Sequence, residues 1–324
     1  MALAISLKAT DGILYGTTFS GGLHHSGTVI RVGPSGSVST LTDATGVTGP
    51  KPDVIGGVIE LADGRLLASA GGALFHVTTA GENTFRGSLA LNGGFIETAD
   101  GSIYGTVASG DGSIFRIAPE ASDRVHVFTG PDGLRPVGGL HLSSDGYLYG
   151  TTSEGGAHGA GTVFRFALDG TLTTLHHFSG IDGAYPTATL IEGTDGLLYG
   201  TTLLGGETSL LPQGGGTVFS IARDGTEFRS LHRFAGGDGL LPFAGLTLAS
   251  NGLFYGTTTL GGLGAGAVFL MNADGALAVV HRFAPGEGRY PLGGVTESNG
   301  ALYGMTSAGG RSNAGVVYRI GGPG

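Results

Sequence analysis

The tetrapeptide Tyr-Gly-Thr-Thr stands four times along the chain, beginning at Tyr15, Tyr149, Tyr199 and Tyr255. Weaker copies begin at Tyr104 (Tyr-Gly-Thr-Val) and Tyr303 (Tyr-Gly-Met-Thr). From Tyr104 onward the copies lie 45 to 56 residues apart, but 89 residues separate Tyr15 from Tyr104. That gap holds a degenerate unit, Asp63-Gly64-Arg65-Leu66-Leu67-Ala68, with Leu67 at the tyrosine position. A period of this size marks a repeat architecture, in which each copied unit buries its apolar face against the next.

Each unit reads as four short strands. In the copy at residues 136–182, strands are predicted at 139–143, 147–153, 161–167 and 171–178, with Asp145-Gly146 and Asp169-Gly170 turning the first pair and the last. Asp-Gly between alternating apolar runs favours a hairpin because such turns need positive φ, which glycine adopts without strain. Four strands and a crossing loop make a propeller blade. The expected fold is therefore all-β: a seven-bladed β-propeller of four-stranded antiparallel blades, the last of them three-stranded. It is expected as a single domain over 1–324, with blades near 1–45, 55–91, 93–130, 138–180, 187–236, 244–285 and 293–320. Because strand direction alternates, both long loops of every unit fall on one face, the mouth. The glycine pairs 56–57, 93–94, 138–139 and 293–294 suit a crowded central channel.

Composition narrows the function. Net charge is −9 and the only lysines are Lys8 and Lys51, so nucleic acid and polybasic membrane docking are not expected partners. With no cysteine there is no thiolate metal site, Cys nucleophile or disulfide. No apolar run approaches a membrane span of about 18–20 residues. Residues 1–9 read as a strand, not a signal peptide, since Asp11-Gly12 follows as in other units. No Gly-x-Ser-x-Gly, His-Glu-x-x-His or phosphate loop occurs. Gly261-Gly262-Leu263-Gly264 leads into a strand, so a dinucleotide reading fails.

The frame Pro-x-x-Gly-Leu, Asp-Gly-x-Leu-Tyr-Gly-Thr-Thr, Gly-Gly, Gly-Thr-Val-Phe-Arg, Asp-Gly and Leu-His-x-Phe resembles the GloVer-type tandem repeat. The strand order is similar to that of NHL-type propellers, with the first strand innermost. The resemblance covers nearly the whole chain, is strongest in units four to six, and fades in unit two. It implies a propeller from a bacterial protein tied to export and surface anchoring, and it carries no activity. A native start at Met1 would imply the cytoplasm instead, and both locations stay open.

Most motif-like residues are accounted for by the repeat. The tyrosines are expected to pack between blades with their hydroxyls bonded. The threonine pair fits an exposed position. His126, His176, His232 and His281 share one place in the fourth strand. Glu60, Glu97 and Glu192 share one place in the first strand, either as a cation-binding ring or as acceptors for a neighbouring blade's backbone. His24, His25 and His158 could form a three-His zinc site only across the funnel, and no metal is assigned.

Residues that break the repeat on the mouth are the candidates. Lys51, Arg135, Tyr185, Leu241 and Tyr290 precede the loop proline, Phe243 follows one, and Arg289 adjoins Tyr290. His141 stands where other units place Ile59, Ile96, Ile191 or Thr247. Glu154, His158, His24, His25, Glu207 and Arg311 vary in the other long loop, and the fifth unit's longer loop, 205–216, is a candidate lid. Two functions follow. One is a single asymmetric funnel pocket for a small organic or sugar-derived ligand. It would perform cofactor-independent lyase, isomerase or cyclase chemistry with His141, Tyr185 and Tyr290 as acid–base groups and Arg135 stabilising negative charge. Arg289, Phe243, Glu154, His158, His24 and His25 would bind the ligand. The other is a non-catalytic surface or secreted module for a protein or glycan. In either case a monomer without cofactors is expected.

Overall fold

The computed structural model describes residues 2–18, 21–23, 27–33, 36–43, 57–70, 73–87, 92–118, 122–206, 213–284 and 286–321. Seven small antiparallel sheets form a propeller ring; six have four strands and the last has three. Blade four runs His141–Leu142, Leu148–Thr152, Thr162–Phe166 and Leu172–His177, each strand paired to the next. The degenerate unit is a full blade, built from Val58–Glu60, Leu66–Ala70, Ala73–Val77 and Asn83–Gly87. Blade seven is Thr296–Ser298, Ala301–Met305 and Val317–Gly321. The first strands of blades one, two, three and seven lie against one another, which places them around the axis.

The core sits between blades. One apolar cluster joins Tyr149, Val163 and Phe178 of blade four to Phe219 and Ile221 of blade five, and equivalent clusters recur around the ring. The ring closes by the same kind of packing, with Leu14, Ile30 and Val32 of blade one against Ala301, Tyr303 and Met305 of blade seven.

Every position of Tyr-Gly-Thr-Thr has a structural task. Tyr149 is fully buried and its hydroxyl donates to Asp145 Oδ2 at 2.8 Å, bracing the Asp-Gly turn; Tyr199 does the same to Asp195 at 2.6 Å and Tyr15 to Asp11 at 2.9 Å. Burial, then the Asp11 carboxylate, push the Tyr15 hydroxyl up to about 12. Gly150 lies under the Phe164 ring, where a methyl would come within 2.5 Å. The threonines are buried, apart from the half-buried Thr18, and not exposed as the sequence suggests. In blades four to six the first of the pair donates across to the next blade (Thr151 to the Ala188 carbonyl at 3.2 Å, Thr201 to Ala244 at 3.0 Å, Thr257 to Gly293 at 3.0 Å), whereas Thr17 Oγ1 of blade one is buried without a hydrogen bond among the described residues. The second bonds the threonine opposite on the third strand in blades one, four and five (Thr18–Thr28 at 2.9 Å, Thr152–Thr162 and Thr202–Thr217 at 2.8 Å), whereas Thr258 faces Ala267 and its hydroxyl has no partner among the described residues. Tyr149→Phe removes a hydroxyl that donates to Asp145 and lies 3.2 Å from the Arg223 carbonyl of the next blade, and should cost about 1 kcal/mol. A urea midpoint unchanged from the parent would show that the Asp145 bond contributes nothing.

The first strands of blades four to six are shorter than expected, two residues each. The backbone ahead of them bonds to neighbouring blades and not to its own sheet: the Gly138 carbonyl accepts from Thr106, and the Gly139 amide donates to Thr189 Oγ1 at 3.0 Å.

Candidate functional site

The two long loops of successive units interlock on the mouth. Leu134 and Glu154 exchange both backbone hydrogen bonds, at 2.7 and 3.1 Å, and Ala184–Leu204 and Leu240–Leu260 repeat the exchange. The residue before the loop proline takes the left-handed conformation in all four described cases: Arg135 (φ 54°), Tyr185 (54°), Leu241 (57°) and Tyr290 (57°). Such backbone costs about 1–3 kcal/mol for a residue with a side chain and persists only where the surroundings enforce it. Here they do. Each amide donates to the preceding blade, to the carbonyls of Asp111, Ala160, Gly215 and Ala265 at 2.8–2.9 Å. Each carbonyl accepts from the following blade, from the amides of Ser153, Leu203, Thr259 and Ser307 at 3.0 Å. The backbone is the repeated part of this bolt, and the side chain is free to vary.

The histidines of the fourth strand pair with carboxylates six residues on. His126 Nε2 lies 2.8 Å from Asp132, His176 2.9 Å from Asp182 and His232 2.6 Å from Asp238; Glu287 takes the aspartate's place 3.1 Å from His281. The other carboxylate oxygen accepts the Thr129, Ser179 or Ala235 amide. Each histidine stands edge-on to the phenylalanine two residues later, with 4.9 Å between centroids. Burial alone would raise the Asp182 carboxyl, but hydrogen bonds from His176 and Ser179 bring it down to about 2. These pairs fasten the start of the crossing loops that follow blades three to six.

On the opposite, tight-turn face the first-strand glutamates accept hydrogen bonds from the preceding blade. Glu60 binds the Thr10 amide and hydroxyl, Glu97 the Ala62 amide, and Glu192 the Ser144 amide with the hydroxyls of Ser143 and Ser144. Glu297 does the same to Ser250. His141 Nε2 is buried in this layer, 3.8 Å from Glu192 Oε2, without a hydrogen bond. Burial pushes the His141 imidazole down, and the Glu192 carboxylate opposes that shift.

The remaining candidates are spread over the mouth. Arg135 and Glu154 form an exposed ion pair at 3.4 Å between blades three and four. Tyr185 is 40% exposed. His158 is exposed, and the Phe243 carbonyl accepts from Thr187 at 3.0 Å in the seam between blades five and six. His24, His25, Lys51 and Glu207 lie outside the described residues, as does much of the 205–216 loop.

One cleft gathers departures from the repeat. It has a volume of about 380 Å³ between the mouth loops of blades six and seven, and Leu263, Glu287, Arg289, Tyr290 and Asn313 line it. Glu287 replaces an aspartate, Arg289 stands where Leu134, Ala184 and Leu240 lie, and Asn313 (φ 51°) takes the place of Gly159 (φ 74°). Asn313 Oδ1 accepts from Arg289 Nη2 at 2.9 Å and from the Gly309 amide at 3.0 Å. The guanidinium lies 5.5 Å from the Tyr290 ring centroid. The Ala284 amide, then His281, hold the Glu287 carboxyl below the usual range, so it is a carboxylate at neutral pH. Among the described residues Glu287 uses only Oε2 in these bonds, and Arg289 has no carboxylate partner. Arg289 and Tyr290 are thus the two sequence candidates brought together in one cleft. Glu287 and Asn313 were overlooked, although both are legible as substitutions in the aligned units.

A family model described as the Gloeobacter/Verrucomicrobia repeat matches residues 90–318. No curated protein sequence is significantly similar to the chain. Among solved structures, a gluconolactonase from Xanthomonas campestris is 17% identical with TM-score 0.51, over 81% of this chain and 83% of that one. A candidate 6-phosphogluconolactonase from Bacteroides uniformis is 18% identical with TM-score 0.58, over 98% and 95%. A puromycin-hydrolyzing peptidase from Mycobacterium tuberculosis is 13% identical with TM-score 0.62; the match covers 99% of this chain but 52% of that longer one. At these identities the likeness is one of fold.

Proposed function

The chain belongs to the Gloeobacter/Verrucomicrobia repeat family, and on that footing we propose that its propeller binds one small polyhydroxylated, sugar-derived ligand at the mouth, in the cleft between blades six and seven. The observation that supports this most is the convergence of three departures from the repeat, Glu287, Arg289 and Asn313, beside Tyr290. A cleft of this size, with a few convergent polar groups, suits a ligand of one or two sugar units. Glu287 Oε1 accepts hydroxyls, Arg289 takes a carboxylate or ring oxygen, and Tyr290 offers an apolar face. The lactonase names among the structural neighbours agree with that substrate class. In the enzymatic form of the reading, a cofactor-independent lyase, isomerase or cyclase, Tyr290 is the acid–base group and Arg289 stabilises developing negative charge. Arg135 and Tyr185 stand at other places on the mouth and would act only on a ligand reaching beyond this cleft, while His141 lies buried in the tight-turn layer, away from it.

Thermal unfolding with gluconate, glucuronate or glucose tests the proposal. A ligand at 100 times its dissociation constant adds about 2.7 kcal/mol. The expected result is a shift from at least one sugar acid that Arg289→Ala with Tyr290→Ala abolishes and Arg135→Ala with Tyr185→Ala retains. The reverse pattern would move the site, and no shift from any of the three would overturn the class. Product formation followed by NMR separates turnover from binding. One observation favours a protein-binding surface instead: Leu23 (83% exposed), Ile181 (64%) and Leu263 (62%) all stand on mouth loops.

A further inference from the structure

The carboxylate that follows the fourth strand ordinarily spends both of its oxygens on the fold. Asp132, Asp182 and Asp238 each give Oδ2 to a histidine and Oδ1 to a backbone amide. Glu287, one methylene longer, performs both tasks with Oε2 alone, which lies 3.1 Å from His281 Nε2 and accepts the Ala284 amide at 3.1 Å. The extra reach therefore releases Oε1, which bonds to nothing among the described residues.

The chain sets a cation beside that oxygen. Gly288–Arg289 pairs with Ala308–Gly309, so the segment is extended over two residues where blades four to six have isolated bridges. Side chains two apart on extended backbone share a face. Gly288, between them, faces the other way, and a methyl there would run into Thr306 and Val316. Glu287 and Arg289 both line the cleft, yet no ion pair joins them. Asn313 Oδ1 on Nη2 and the Tyr290 ring hold the guanidinium in place instead. Asn313 takes one of its five N–H groups and leaves donors for a ligand. The cleft thus presents a carboxylate oxygen and a guanidinium that do not neutralise each other. The chain carries −9 overall, a field that repels a simple anion at range and acts little on a zwitterion.

We infer, resting on the sugar-binding reading of this cleft, that its ligand is an amino sugar acid: a polyhydroxylated zwitterion with its ammonium on Glu287 Oε1 and its carboxylate on Arg289.

Gluconate and 2-amino-2-deoxygluconate test this, since they differ only by a hydroxyl against an ammonium. Dissociation constants are read from thermal-shift titrations of the whole protein at pH 7. The amino sugar acid is expected to bind about fivefold more tightly, the gain of a solvent-reached ion pair, because the Glu287 side chain is 50% exposed. Glu287→Asp restores the residue of three other units and returns both oxygens to the fold, so it should erase the difference between the two acids. Glu287→Gln should erase it too. Equal binding of both acids by the parent overturns the inference and leaves the sugar-acid site standing. A preference undiminished in Glu287→Asp also overturns it. If 4-aminobutanoate binds as tightly as the amino sugar acid, the sugar falls from both readings, and binding of neither acid overturns both.

Discussion

Replacing Gly139 by Ala is expected to destabilise the propeller by about 3 kcal/mol, whereas the same change at Gly94 stays within about 1 kcal/mol of the parent. The two glycines face each other across the seam between blades three and four, yet their surroundings are unequal. A methyl on Gly139 would stand 2.7 Å from the Gly94 carbonyl oxygen and closer still to its amide nitrogen, while one on Gly94 meets nothing within 4 Å. Backbone cannot swing aside as a side chain can, so the first change must push blades three and four apart along hydrogen bonds such as that from the Thr106 hydroxyl to the Gly138 carbonyl. The second only reduces the freedom of the unfolded chain, which is mildly favourable. Urea unfolding of both variants decides the matter. Equal losses would mean that the seam relaxes, and the account of close backbone approach would fail.

Glu192→Gln is expected to lose about 2–3 kcal/mol at neutral pH, a loss that fades in acid. Burial by itself would raise this carboxyl, but hydrogen bonds from Ser143 and Ser144, and the charge of Arg223 at 3.4 Å, bring it down from the usual 4.5 to about 2. The side chain is 17% exposed, so solvent screens the interaction little. Because the folded state holds the group below its unfolded value, its stabilisation is complete above about pH 4.5 and disappears as the pH falls through about 2. Glutamine mimics the protonated form and should flatten that limb. Urea midpoints at pH 7, 4 and 2.5 should show parent and variant converging. A gap independent of pH would mean that shape, and not charge, makes the clasp.

What the sequence revealed and what it hid follow the range of the interactions. Asp145-Gly146 and its counterparts are local, and they placed the hairpins and the blade count correctly. The threonines misled because their partners lie some forty residues away: Thr151 reads as a surface residue until Ala188 of the next blade is seen against it. Of the two readings of the glutamate row, the structure shows carboxylates that accept from the backbone of the preceding blade, and the row has a further member. Glu297 escaped notice because its turn reaches Asn299-Gly300 one residue sooner than Glu192 reaches Asp195-Gly196. The His–carboxylate pairs were readable, since His126, His176, His232 and His281 each precede an acid by six residues. Tyr185 and Tyr290 drew attention as differences between units, but their shared left-handed backbone could not be read from residue types so varied.

That backbone has an evolutionary consequence. At Arg135, Tyr185, Leu241 and Tyr290 the peptide groups carry the joint, so each side chain is a fitting mounted on a fixed chassis. A lineage built on this ring can exchange what it presents at the mouth by single codon changes, without renegotiating the ring itself. Divergent specificity on an unaltered scaffold is then the ordinary course for such chains, and a combinatorial library confined to these four sites is the shortest route to a new one.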